Sequence, residues 1–120
     1  MGGNVVLVRW SGAQPIDRES ILRELGKSAF DGTTWANGPR VRYAPHAHSY
    51  DKILIVLEGS IEMILPLEDT SITLAEGDRL ELPANTLHAA VVGGSGVVCW
   101  EARRPRGSGR GEGGDAALGA

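Results

Sequence analysis

The chain has 120 residues, enough for one modest hydrophobic core and too few for a second domain. Hydrophobic residues make up 42% and charged residues 22%, a globular balance, and a formal net charge of −3 excludes a global basic field for nucleic acid. No apolar run reaches the roughly 20 residues of a membrane helix, and Met1 to Trp10 lacks both the basic start and the apolar stretch of a signal peptide. A cytoplasmic location, with neither membrane nor nucleic acid as partner, is the expectation. Cys99 is the only cysteine, so no internal disulfide is available and a reducing compartment fits. Between Val98 and Trp100 it reads as a small buried side chain rather than a reactive thiol.

In chain order, a short apolar stretch at Val5–Val8 comes first. Pro15–Leu25 follows, with Ile16, Ile21, Leu22 and Leu25 at helical spacing, Pro15 near the start and Gly26 as a stop, which predicts one short amphipathic helix. From Thr33 onward the signal changes to brief β-branched or aliphatic runs. These predict strands at Thr33–Ala36, Arg40–Ala44, Ile53–Leu57, Ile61–Leu65, Ser71–Leu74, Arg79–Leu82, Leu87–Val92 and Val97–Ala102. Turn residues separate them, notably Glu58-Gly59-Ser60, Glu76-Gly77-Asp78, Pro83-Ala84-Asn85 and Gly93-Gly94-Ser95-Gly96. Without interleaved helices the strands predict an all-β sandwich or barrel, not a parallel sheet.

Beyond Arg104 the composition collapses to "PRGSGRGEGGDAALGA", which has too little apolar surface to offset its ordering entropy. Residues 1–104 are therefore expected to form the domain and 105–120 a disordered tail. Arg103, Arg104, Arg106 and Arg110 make this end basic, but no aromatic residues interleave with them, so a solvated tail is expected rather than a nucleic-acid segment.

The chemistry concentrates in "YAPHAHSYDKILIVLEG", Tyr43 to Gly59. In extended chain, residues i and i+2 project to one face, so His46 and His48 can aim their rings at one point. The third histidine lies in "GDRLELPANTLHAAV", where His88 follows Pro83 by five residues and Pro83 follows Gly77 by six. Together the two segments resemble the cupin superfamily. Its first motif reads Gly, five residues, His-x-His, three or four residues, Glu, six residues, Gly, and here His46, His48 and Gly59 match it. Its second reads Gly, five residues, Pro-x-Gly, two residues, His, three residues, Asn, and Gly77, Pro83 and His88 match that. The resemblance covers about Thr33 to Ala102.

Four positions depart from the motifs. Arg40 stands at the leading glycine, Asn85 at the glycine of Pro-x-Gly, and Val92 at the final asparagine. Asn85 still tolerates positive φ. The fourth departure is chemical: Lys52 occupies the place of the glutamate ligand.

The resemblance implies a double-stranded β-helix, a jelly-roll cupin barrel with one short N-terminal helix and a site in its mouth, commonly a homodimer. It implies a divalent transition metal held by His46, His48 and His88. Neutral imidazoles suit Fe, Zn, Ni, Cu or Mn and leave positions open for water or a small-molecule ligand. An ammonium about 5 Å from such an ion would be repelled by roughly 6 kcal/mol at an effective dielectric near 20. Lys52 can lose its proton, turn toward an acid such as Asp51 or Glu101, or stand in a site where metal is weak or absent. Asp51 is a ligand only if a bulge rotates it inward. Arg42 and Arg79 join an anion pocket only if they face inward, and Trp35, Tyr43, Tyr50 and Trp100 either line the pocket or pack the core.

Two functions follow. One is a metal-dependent enzyme of the dioxygenase, isomerase or lyase type on a small organic substrate, with Lys52 and Tyr43 as the nearest candidates for proton transfer. The other is a non-enzymatic cupin that binds a small anionic ligand through Lys52, with weak metal or none.

Overall fold

The structure is a computed structural model that describes residues 4–25 and 32–105. The helix stop at Gly26 and, of the tail expected at 105–120, all but Pro105, the last residue of a strand, lie outside the described residues. In chain order the elements are β1 (Val6–Val8), α1 (Arg18–Leu25), β2 (Gly32–Asn37), β3 (Arg42–His46), β4 (Tyr50–Leu65), β5 (Thr70–Ala75), β6 (Arg79–Leu82) and β7 (His88–Pro105). Every strand pairing is antiparallel.

Two long strands organise the sheet. The first part of β4 pairs with β6 and with the end of β7, while its last part pairs with β5 and with the start of β7. β2 adds to the far half of β7, β3 to its near half, and β1 to the edge of β6. Because β4 and β7 serve both halves, the sheet folds over on itself into an antiparallel jelly roll. The sequence predicts two strands in place of each, broken at Glu58-Gly59-Ser60 and Gly93-Gly94-Ser95-Gly96. Both breaks are bends within one strand, marked by register shifts at Val56/Glu58 and Gly59/Ile61. Gly59 and Gly96 make the bend possible: both have positive φ (78° and 84°), and a Cβ on Gly59 would lie 2.0 Å from the Gly96 carbonyl oxygen.

Other boundaries shift for local reasons. α1 starts at Arg18 rather than Pro15 because Asp17 caps it: the Ser20 backbone N–H donates to Asp17 Oδ1 at 3.2 Å. β3 starts at Arg42 rather than Arg40, since Arg40 has φ 62° and lies in a turn whose N–H reaches the Gly93 carbonyl.

Alternation sorts the strand residues between two cores. Leu54 and Val56 face into the roll with Ile61, Met63, Leu65, Leu74, Leu80, Leu82, Ala90, Val92, Val97 and Cys99. Ile53, Ile55 and Leu57 face outward with Trp100 and Ala102, where Ile21, Leu22 and Leu25 of α1 cover them. With both faces covered, β4 reads as the unbroken apolar run Ile53–Leu57 instead of an alternating one. Among the described residues, no helix is long and apolar enough to cross a membrane.

Candidate metal centre and the buried ion pair beside it

His46 ends β3 and His88 begins β7, and the two are register partners. His48 lies in the bend between β3 and β4, where its carbonyl accepts from the Asn85 N–H at 2.7 Å. The ring centroids are 4.4 Å (His46–His88), 4.8 Å (His46–His48) and 5.2 Å (His48–His88) apart. One ligand nitrogen from each ring lies within 4.8 Å of the others, and among the described residues no acidic side chain belongs to this group. Two metal–nitrogen bonds of about 2.1 Å span at most ~4.2 Å, so closure on one ion needs a shift of less than about 1 Å.

Hydrogen bonds set the proton positions. His46 Nδ1 is 2.6 Å from the Ala44 carbonyl and His88 Nδ1 is 2.9 Å from the Thr86 carbonyl. A carbonyl only accepts, so in the neutral rings each Nδ1 carries the hydrogen and each Nε2 presents its lone pair. The Nε2 atoms of His48 and His88 are buried. His48 Nδ1 meets a different group, the Tyr50 hydroxyl at 3.1 Å, and the two rings stack at 4.9 Å.

Lys52 faces into the roll beside Leu54 and Val56, and its side chain is 1% exposed. Its ammonium lies 3.5 Å from Glu101 Oε1 on β7. Glu101 also accepts from Trp35 Nε1 at 2.9 Å and from Arg103 Nε at 3.2 Å. Burial pulls the Lys52 ammonium below its ordinary range, while Glu101 pulls it back up. Of the outcomes open from the sequence, turning toward Glu101 is the one observed. Burial also pushes the Cys99 thiol up to about 12, which makes it inert.

The remaining sequence candidates separate cleanly. Asp51 points away from the histidines: its carboxylate accepts from the Ala84 N–H at 2.8 Å and from Arg104 Nε at 3.3 Å, so no bulge turns it inward. Arg79 pairs with Glu81 at 2.6 Å, alternating with the inward Leu80 and Leu82, and Arg42 is exposed. Neither joins an inner anion pocket. Tyr43 packs against the inner core, its ring 6.4 Å from that of His46 and its hydroxyl 2.6 Å from Asn37 Nδ2. Trp35 lines the same core and Trp100 the outer one.

Tyr50, which the sequence offers as either pocket lining or core, continues the i, i+2 alternation from His46 and His48 to Lys52 and stands beside the imidazoles. The contribution of Arg103 escapes sequence reasoning. Arg103 reads from composition as the start of a basic tail, yet it is the register partner of Lys52 and lies over the Tyr50 ring at 4.6 Å.

No family model and no curated protein matches the sequence. Solved structures do match. A cupin superfamily protein from Desulfitobacterium hafniense superposes with a TM-score of 0.56 at 13% identity, covering 88% of this chain and 81% of that one. A cupin-2 domain containing protein from Shewanella frigidimarina gives 0.54 at 15% identity over 75% and 94%. The chain has the cupin fold. KdgF from Halomonas sp. is also similar, with a TM-score of 0.53 at 25% identity over 64% of this chain and 71% of its own. Within this cupin fold the motif departures from glycine keep a glycine-like backbone, since Arg40 and Asn85 have φ of 62° and 65°. At the departure from glutamate, a carboxylate on the neighbouring strand meets the lysine.

Proposed function

We propose that this cupin holds a divalent transition metal through His46, His48 and His88 and acts as an enzyme of the dioxygenase, isomerase or lyase type on a small organic molecule. The observation that carries this reading is the donor set: one nitrogen from each of three imidazoles within 4.8 Å of the others, two of the rings oriented by backbone carbonyls so that lone pairs face the gap. An ion bound there supplies Lewis acidity toward an oxygen of the substrate. The chain's own residues orient the rings, and the half-buried Tyr43 lies beside them, its ring 6.4 Å from that of His46. Glu101 balances the Lys52 charge, which lessens the repulsion that a bare ammonium would exert on the ion.

A second reading keeps one specific support. Two cations, Lys52 and Arg103, meet the carboxylate of Glu101 in one cluster, and an ammonium and a guanidinium so placed suit a small anionic ligand without metal.

Metal analysis and titration with Zn(II) or Co(II) separate the two. Near-stoichiometric binding that disappears in His46→Ala/His88→Ala supports the metal centre. Failure to bind Fe, Zn, Ni, Cu or Mn under any supplementation overturns it. Carboxylate binding by the metal-free protein that is lost in Lys52→Ala then supports the anion binder.

A further inference from the structure

Side chains from two neighbouring strands run as a continuous column from the candidate centre into the roll. Tyr50 stacks on His48 with an interplanar angle of 21°, and its hydroxyl lies 3.1 Å from Nδ1. The Arg103 guanidinium lies over the Tyr50 ring at 4.6 Å, an attraction that holds the ring in place. Arg103 Nε is fastened to Glu101 Oε2, and Glu101 Oε1 is gripped by Trp35 and Lys52. Tyr50, Lys52 and Glu101 are all buried, so the column is rigid.

His48 differs from the other two histidines in what meets its Nδ1. A carbonyl only accepts, but a phenol both donates and accepts, so it permits either tautomer until something selects one. We propose that Tyr50 is the positioning residue for His48, and that Arg103, Glu101 and Lys52 form the post that holds Tyr50. In this arrangement His48 Nδ1–H donates to the Tyr50 oxygen, which leaves the Nε2 lone pair facing His46 and His88. Lys52 then serves the site by anchoring Glu101, at one remove from the histidines. The inference rests on the three-histidine reading above, and one experiment distinguishes its failure from the failure of that reading.

The experiment compares the parent, Tyr50→Phe and Arg103→Met by Co(II) titration calorimetry, with ¹⁵N spectra of the histidine rings in the metal-free proteins. Thermal unfolding of each metal-free variant reports folding separately. Tyr50→Phe keeps the stacked ring and removes only the hydroxyl, so Co(II) affinity is expected to fall about 10- to 100-fold. The His48 nitrogen shifts move, and those of His46 and His88 stay. Arg103→Met, which cuts the tie to Glu101, gives a smaller loss. Parent affinity in Tyr50→Phe overturns the proposal, and should that variant not fold, parent affinity in Arg103→Met overturns it. If the parent itself binds no Co(II), the metal reading fails and the metal-free spectra decide this one: unmoved His48 shifts in Tyr50→Phe overturn it, and moved shifts uphold it.

Discussion

Lys52 Nζ and Glu101 Oε1 stand 3.5 Å apart, with the two side chains 1% and 0% exposed. Removing Glu101 takes the carboxylate away from the buried Lys52, at a typical cost of about 3–5 kcal/mol, whereas removing Lys52 leaves Glu101 still held by Arg103 and Trp35. Glu101→Gln is therefore expected to lose about that much in urea unfolding, and Lys52→Met less. In the double variant the loss is less than the sum, and strict additivity would show that the two side chains do not interact.

The same pair predicts an alkaline signature. Burial lowers the folded-state Lys52 value below the ordinary 10.5, with Glu101 opposing, so the unfolded chain keeps this proton to higher pH than the folded one. The contribution of this group to stability therefore rises with pH between the lowered value and 10.5. The chain has only two lysines, Lys27 and Lys52, so side-chain ¹⁵N titration resolves them. Lys52 is expected to deprotonate below 10.5, and a midpoint at or above that value would refute the assignment.

Moving the carboxylate tests which way position 52 faces. Lys52→Glu/Glu101→Gln leaves one carboxylate in the cluster, opposite Arg103 across the strand pair, keeps an acceptor at 101 for Arg103 Nε, and puts the carboxylate where the cupin motif carries its glutamate. Co(II) affinity is expected to rise about tenfold or more, whereas Lys52→Glu alone places two carboxylates together and destabilises the fold. Unchanged affinity in Lys52→Glu/Glu101→Gln would mean that position 52 does not look toward the histidines.

Asp78 contributes to the acid limb of stability. Burial pushes its carboxyl up, but the N–H groups of Ala75 and Trp10 and the Arg9 guanidinium outweigh that and hold it below the ordinary 3.8. Its contribution is fully present above about pH 4 and is lost as pH falls through the lowered value. Asp78→Asn is expected to cost about 1.5–3 kcal/mol at neutral pH and to flatten acid unfolding. An unchanged acid midpoint would contradict this.

At the bend shared by β4 and β7, Gly59→Ala combines a positive φ with a collision against the Gly96 carbonyl. A loss of about 1–3 kcal/mol in chemical denaturation is expected. A neutral result would show that the bend relaxes.

His46 and His48 were legible because their geometry is local: they share a face through the two-residue period of extended chain. His88 was legible through motif offsets, with Gly77 and Pro83 in the two turns that flank β6. Arg40 and Asn85 show the limit of residue identity, since both take the left-handed backbone that the motif assigns to glycine. The turn signal at Gly59 marks a bend inside β4 and not the break between two strands that the sequence predicts, because a bulge and a chain reversal use the same residues.

By itself the sequence determined the period of each strand, the apolar run of β4 and the shared face of His46 and His48, all of which depend on neighbours a few positions away. Only the tertiary structure decided that Lys52 meets Glu101, that Arg103 covers Tyr50 and that Asp51 turns outward. Those pairings follow from the register between β4 and β7, and register is set by bulges and by burial of one sheet face across the whole roll. A slip of one residue would send each of these side chains to the opposite face, and no local stretch of sequence records which alignment the closed sheet selects.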